Sequence, residues 1–218
     1  MKIVMIGAGK VAYYLYRELK ASHDVTIIEQ DEKTAKVVAD RLSTSIINGD
    51  GSTYAVLKNE CKGADMIIAL TGKDETNLIA CQIAKKHLGV KFAVARVNNP
   101  RNLEVMGKFG VDKPFSGTKI LAEMIEQEVD YQGLSVVHTI ENSDRVIIVF
   151  NLSAESKACN QTLAEYDFVH DSKVVVISTA TGETITPRGD TVMHAGERLM
   201  MVCSRRSIEQ IWKAMVSV

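Results

Sequence analysis

KIVMIGAGKVA, residues 2–12, decides the fold. Residues 2–6 are short, β-branched and almost wholly apolar, which fits a strand buried on both faces. The strand runs into Gly7-Ala8-Gly9-Lys10-Val11-Ala12, a G-x-G-x-x-A turn that opens a helix. Each position has a physical reason. Gly7 permits the tight turn. Gly9 has no Cβ, so a pyrophosphate can approach the main chain, and Ala12 is small enough for the helix to pack close to the sheet. The free amides and the dipole at the helix start favour an anion. A branched side chain at Gly9 is expected to occupy the pyrophosphate space and to resist the turn's backbone angles. Lys10, inside the turn, either meets a phosphate or points to water.

A nucleotide-binding turn of this kind needs an acid about 20 residues further on, and Glu29 stands there at the end of a second strand, 24–28. Its carboxylate suits the two ribose hydroxyls of an adenosine. It repels a 2′-phosphate, and Gln30 offers no arginine to receive one, so NADP is disfavoured. The alternation then continues. A helix at 32–42, with Asp31 as its cap, leads to a strand at 45–48 and a helix at 52–59. Next come a strand at 65–70, a helix at 74–88, a strand at 91–97, a helix at 100–109 and a short apolar segment ending at Pro114-Phe115. Strict βα alternation implies a parallel sheet with right-handed crossovers and helices on both faces: an α/β, Rossmann-like, doubly wound parallel sheet.

In that sheet strand four lies beside strand one across the switch point, so the ends of strands three to five border one crevice. Asp50 and Gly51, in the run Asn48-Gly49-Asp50-Gly51-Ser52, fall beside the glycine turn. Asp50 either contacts the adenine edge or, like Ser52, caps the next helix. Thr71 opens the loop after strand four. Arg96 ends strand five and faces the crevice or a surface ion partner.

The rhythm breaks after residue 117. A long helix at 118–129 leads to closer-set strands at 135–140 and 145–152, joined by an Asn142-Ser143 turn. A short helix at 161–166, strands at 173–178 and 199–203 with a Gly182 turn between them, and a helix at 205–216 complete a small α+β C-terminal unit. The expected division is 1–116 for nucleotide binding, 117–133 as connecting helix and 134–218 as the regulatory unit. Apolar residues Met106, Phe109, Ile120, Leu121, Met124 and Ile125 exceed what one sheet edge can cover, and are expected to bury against a second copy.

Composition limits the function. A net charge of -1 gives no broad electrostatic footprint for nucleic acid or anionic lipid. No stretch approaches the roughly 20 apolar residues of a membrane span, and the start of the chain does not read as a signal peptide. The expected location is therefore cytosolic. Cys61, Cys81, Cys159 and Cys203 have neither C-x-x-C nor zinc spacing and read as reduced core thiols.

The segments MKIVMIGAGKVA, IIEQD, NGDGS, GADMIIALTGKDETNLIACQIAKK, ARVNNP and FGVDKPF, in that order, resemble the N-terminal RCK domain of TrkA/KtrA-type proteins, cytosolic regulators of potassium transport. VVVIST, ITPRGDTVMHAGERLMMV and the closing helix resemble that family's C-terminal regulatory domain. Two positions depart: Ser178 stands where the family often has an arginine, and Gly196-Glu197 where it has Gly-Asp. The resemblance implies binding of NAD(H) or ATP/ADP at the glycine turn, with Gly7, Gly9, Glu29, Asp50, Thr71 and Arg96 at the carried-over positions. It further implies a homodimer that assembles into a larger ring at the inner face of the membrane, beneath a potassium channel or transporter subunit, with no membrane insertion of its own. Two other functions remain open: a regulator of another channel or exchanger answering to a nucleotide or cyclic dinucleotide, and an NAD-dependent oxidoreductase. The latter lacks a His or Tyr/Lys constellation beside the switch point.

Overall fold

In the computed structural model, residues 1–141, 143–179 and 181–216 are described. The chain forms two compact units, residues 1–120 and 121–218.

The first unit alternates β1 (Lys2–Ile6), α1 (Lys10–Leu19), β2 (Asp24–Glu29), α2 (Glu32–Leu42), β3 (Ile46–Asn48) and α3 (Tyr54–Glu60). It continues with β4 (Met66–Ala69), α4 (Asp74–Leu88), β5 (Phe92–Arg96), α5 (Leu103–Lys108) and β6 (Lys113–Phe115). The sheet is parallel throughout and runs in the order β3-β2-β1-β4-β5-β6. Alternation within β1 explains its unbroken apolar run. Val4 and Ile6 join a core with Leu57, Ile67 and Ala84, while Ile3 and Met5 join a second core with Ala12, Tyr16 and Leu42. Both faces of the strand are therefore dry, as a covered parallel sheet requires. Ala12 is fully buried, and its methyl group is what lets α1 settle on the sheet.

α6 (Gly117–Asp130) leads to β7 (Leu134–Thr139), β8 (Arg145–Asn151), β9 (Lys173–Ser178), β10 (Thr184–Ile185), β11 (Arg198–Ser204) and α7 (Ile208–Met215). These strands make an antiparallel sheet in the order β10-β9-β11-β8-β7. One face of it packs with Ile208, Ile211 and Met215 of α7 around Ile148, Phe150, Leu199 and Met201. The architecture is thus a doubly wound parallel sheet followed by a small antiparallel α+β unit.

Several expectations need correction. Residues 161–166 do not form a helix. Glu165 caps Thr162 as a helix start would, its Oε2 accepting from the Thr162 amide (3.0 Å) and hydroxyl (2.8 Å). The next amides go elsewhere, Leu163 to the Thr191 carbonyl (3.0 Å) and Ala164 to that of Gly189 (2.8 Å). Long-range pairing within the chain, including a Thr162–Val192 bridge, outcompetes helical propagation after one turn. The segment 100–109 is split into a 3₁₀ turn at Pro100–Asn102 and α5, and β10 had no sequence signal. Asn142, half of the expected turn, lies outside the described residues. Met106 is 1% exposed and buried in the core of its own unit, so it does not belong to a surface for a second copy. Cys61, Cys81 and Cys203 are buried, and burial pushes their thiols up to about 11, 12 and 11. No helix of the described residues is long and apolar enough to cross a membrane.

Candidate functional site

The carboxyl ends of β1, β2, β4 and β5 open into one cavity of about 460 Å³. Its floor is the glycine turn. Gly7 has φ +93°, a conformation L side chains avoid, and its amide donates to the Ile28 carbonyl at 2.7 Å. A Cβ there would stand 3.3 Å from the Thr71 amide nitrogen, so the turn is pressed against the loop after β4. Gly9 is the N-cap of α1, with φ −69° and ψ −177° and no side chain capping the helix. The expectation of strain at Gly9 is therefore corrected: its backbone is ordinary extended chain, and the positive φ belongs to Gly7. What Gly9 provides is space, since a Cβ there meets nothing within 4 Å.

Glu29 is wired into this turn. Its Oε2 accepts from the Ala8 amide at 2.7 Å and its Oε1 from the Asp31 amide at 2.9 Å. Each oxygen keeps a further lone pair for a ligand hydroxyl. Asp50 does not cap α3, whose N-cap is Thr53. It folds the preceding turn instead, its Oδ1 accepting from the Ser52 amide (2.9 Å) and hydroxyl (2.7 Å). The Ser52 side chain and amide, with help from nearby Lys73, hold the Asp50 carboxyl below its ordinary range, so it is an anion at neutral pH. Gly51 rests on Ile6, where an added Cβ would come within 2.4 Å of Cγ2.

Sheet order sorts the charges. Glu29 and Asp50 lie on the β2–β3 side of β1, and Lys73 and Arg96 on the β4–β5 side. Arg96 has no ion-pair partner among the described residues, so the surface ion pair weighed for it is not formed. Of the candidate residues, Gly7, Gly9, Glu29, Asp50, Gly51, Thr71 and Arg96 line the cavity. Ala8 and Lys10 do not. With Gly9, which lines both, they border an adjoining concavity of about 450 Å³ with Tyr13, Tyr14, Val38 and Arg41. Val11 is half exposed and lines neither. The cavity also takes in Gln30, Thr34, Lys73 and Thr76. Lys73 is the N-cap residue of α4 and Thr76 lies in its first turn. Thr34 is brought in by the first turn of α2, an effect of helix direction that sequence spacing does not reveal.

The TrkA-N domain family matches residues 3–117, and the TrkA-C domain family matches 147–215. A Trk system potassium uptake protein TrkA homolog of Archaeoglobus fulgidus is 32% identical over 97% of this chain and 49% of its own length. A homolog of the same description from Pyrococcus abyssi is 27% identical over 99% of this chain and 97% of its own. The chain thus spans about half the length of several of the curated relatives it matches. Among solved structures, the GsuK RCK domain aligns with 99% of this chain and 47% of its own at TM-score 0.66 and 16% identity. The GsuK channel bound to NAD aligns with 97% and 39% at TM-score 0.65 and 16% identity. At that identity the likeness is one of fold.

Proposed function

Because the chain belongs to the TrkA-N domain family, we propose that it is a nucleotide-sensing regulatory subunit of a potassium channel or uptake transporter, acting at the cytoplasmic face of the membrane through a partner. Residues 1–116 serve as the nucleotide-binding domain, 117–133 as the connecting helix and 134–218 as the regulatory domain. The observation that carries the reading is the division of charge across the glycine turn. Two carboxylates, Glu29 and Asp50, stand on the side where a ribose hydroxyl needs acceptors. The uncapped start of α1, Lys73 and Arg96 stand where phosphates need donors and positive charge. The ligand is an adenine nucleotide, NAD(H) or ATP/ADP. The curated relatives named for potassium uptake and the NAD-bound GsuK channel support the reading. No His, Cys or Tyr lines the described cavity, and its carboxylates accept from main-chain amides, Glu29 from Ala8 and Asp31 and Asp50 from Ser52, which favours binding over acid–base chemistry. Ligand occupancy then shifts a two-state geometry that the membrane partner senses.

A thermal-shift panel of NAD, NADH, ATP, ADP and cyclic dinucleotides tests this. A ligand held at about 100 times its dissociation constant stabilises the fold by about 2.7 kcal/mol. Absence of any shift from the adenine nucleotides would sink the nucleotide reading, and sustained NADH oxidation with a small metabolite would restore an enzyme.

The proposed assembly is a homodimer, further associated into a ring. No described residue of α6 is buried. Ile120, Leu121, Met124 and Ile125 are each about half exposed or more, and Phe109 and Val129 are open as well. The α6 residues alone form a stripe that is more than single scattered apolar residues explain. Met124→Glu is expected to dissociate the dimer without loss of melting cooperativity. Light scattering that finds the unsubstituted chain monomeric at micromolar concentration would count against the dimer.

A further inference from the structure

Asn77, in the first turn of α4, is 0% exposed, yet it does not line the cavity. Its side-chain amide is used completely. Oδ1 accepts from the Thr71 amide (2.9 Å) and the Thr71 hydroxyl (2.6 Å). Nδ2 donates to the Thr71 carbonyl (3.1 Å) and the Arg96 carbonyl (2.8 Å). The parallel pairing of β4 with β5 ends at Ala69–Ala95, so these bonds tie the two strand exits together beyond the last rung of the ladder. Asp74, three residues earlier, extends the tie. Its carboxylate accepts from the Asn98 amide (2.6 Å), the Asn98 side chain (2.9 Å), the Asn99 amide (3.1 Å) and the Asn102 side chain (2.8 Å). Asn98 Nδ2 in turn reaches the Thr71 carbonyl at 3.1 Å. Burial raises the Asp74 carboxyl, but the hydrogen bonds together outweigh it and hold the group ionised.

A buried amide is tolerated only when its polar atoms are satisfied, and an apolar side chain would fill the same space without that demand. All four bonds of Asn77 go to the two segments that carry Thr71 and Arg96, the cavity wall on the β4–β5 side. We propose that Asn77, braced by Asp74 and Asn98, is a positioning residue that fixes this wall against the glycine turn, and so sets the affinity that a second phosphate adds to an adenosine monophosphate. The proposal rests on the nucleotide reading above. The first phosphate belongs to the start of α1, which Asn77 does not touch. The second belongs to the wall that Asn77 holds.

The test is calorimetric titration of AMP and ADP into the unsubstituted chain, Asn77→Ala, Arg96→Ala and the double variant. The unsubstituted chain is expected to bind ADP at least about tenfold more tightly than AMP. Asn77→Ala should remove most of that ratio while changing AMP affinity less than about threefold, and should have little further effect once Arg96 is alanine. Asn98→Ala, which removes the two bracing bonds of its side chain at a less buried site, should lower the ratio in the same direction, and it carries the test if Asn77→Ala does not fold. Equal losses for AMP and ADP, an unchanged ratio, or full additivity with Arg96→Ala would overturn the positioning role while leaving the nucleotide site standing. If the unsubstituted chain bound neither AMP nor ADP, this inference would fall, while the thermal-shift panel with NAD, NADH and ATP would decide the nucleotide reading separately.

Discussion

Gly9→Val is expected to weaken binding of every adenine nucleotide by at least about a hundredfold, near 2.8 kcal/mol, while the domain still folds. The two halves of that statement come from the same geometry. At φ −69° and ψ −177° the backbone of Gly9 is in a region that valine favours, and an added Cβ touches nothing within 4 Å. The folding cost is limited to a poorer N-cap, about 1 kcal/mol. That empty space, however, is the cavity at the start of α1, where a phosphate must come within hydrogen-bond reach of the main chain. Gly7→Ala should show the opposite pattern. With φ +93° and a Cβ 3.3 Å from the Thr71 amide nitrogen, it should lose about 1–3 kcal/mol of stability, and the loss should be visible without ligand. Melting curves paired with titrations of ADP and NAD separate the two variants. Binding by Gly9→Val at the level of the parent chain would place the ligand elsewhere and reduce the motif to a tight turn.

The parallel sheet was legible because its signals are local. The run Lys2–Ile6 is apolar at every position after the first since both its faces are covered, and the second strand is followed by an amphipathic stretch with a start signal, Asp31, whose Oδ1 accepts from the Thr34 amide at 2.7 Å. The cavity was legible where a residue sits at a strand end, as Glu29 and Arg96 do, because strand order alone brings those ends together. It was less legible where a helix begins. Once Gly9 is the N-cap, about 100° of rotation per residue carries Lys10 and Val11 off the cavity side, and the same rotation brings Thr34 onto it. Spacing could not tell whether Met106 faces its own sheet or a neighbour, since both demand an apolar residue. Nor could it foresee that Asn77 would be buried, because an amide in a first helical turn more often faces water. At residues 161–166 the local capping signal was real, and partners 25–30 positions away overrode it. That is a contest no short window records.

Glu29→Gln should lower ADP affinity about ten- to hundredfold, matching the roughly 1.5–3 kcal/mol of a charge-assisted hydrogen bond. The carboxylate has two tasks, however, and a simple loss would not distinguish them. It holds the Ala8 and Asp31 amides, and it is proposed to hold the ribose. Glutamine can offer its oxygen to only one of the two amides and turns an N–H against the other, so the glycine turn loosens even without ligand. Comparison of ADP with 2′-deoxy-ADP separates the tasks. If Glu29 accepts from the 2′-hydroxyl, the parent chain prefers ADP, and the preference collapses towards unity in Glu29→Gln because the deoxy ligand never made the lost bond. If Glu29 only buttresses the turn, both ligands weaken by the same factor and the preference survives. The melting temperature without ligand reads the buttressing alone, and should fall in either case. A retained preference for ADP in Glu29→Gln would assign the ribose to another acceptor in the cavity, and Asp50, held anionic on the same side of the turn, would be the next carboxylate to replace.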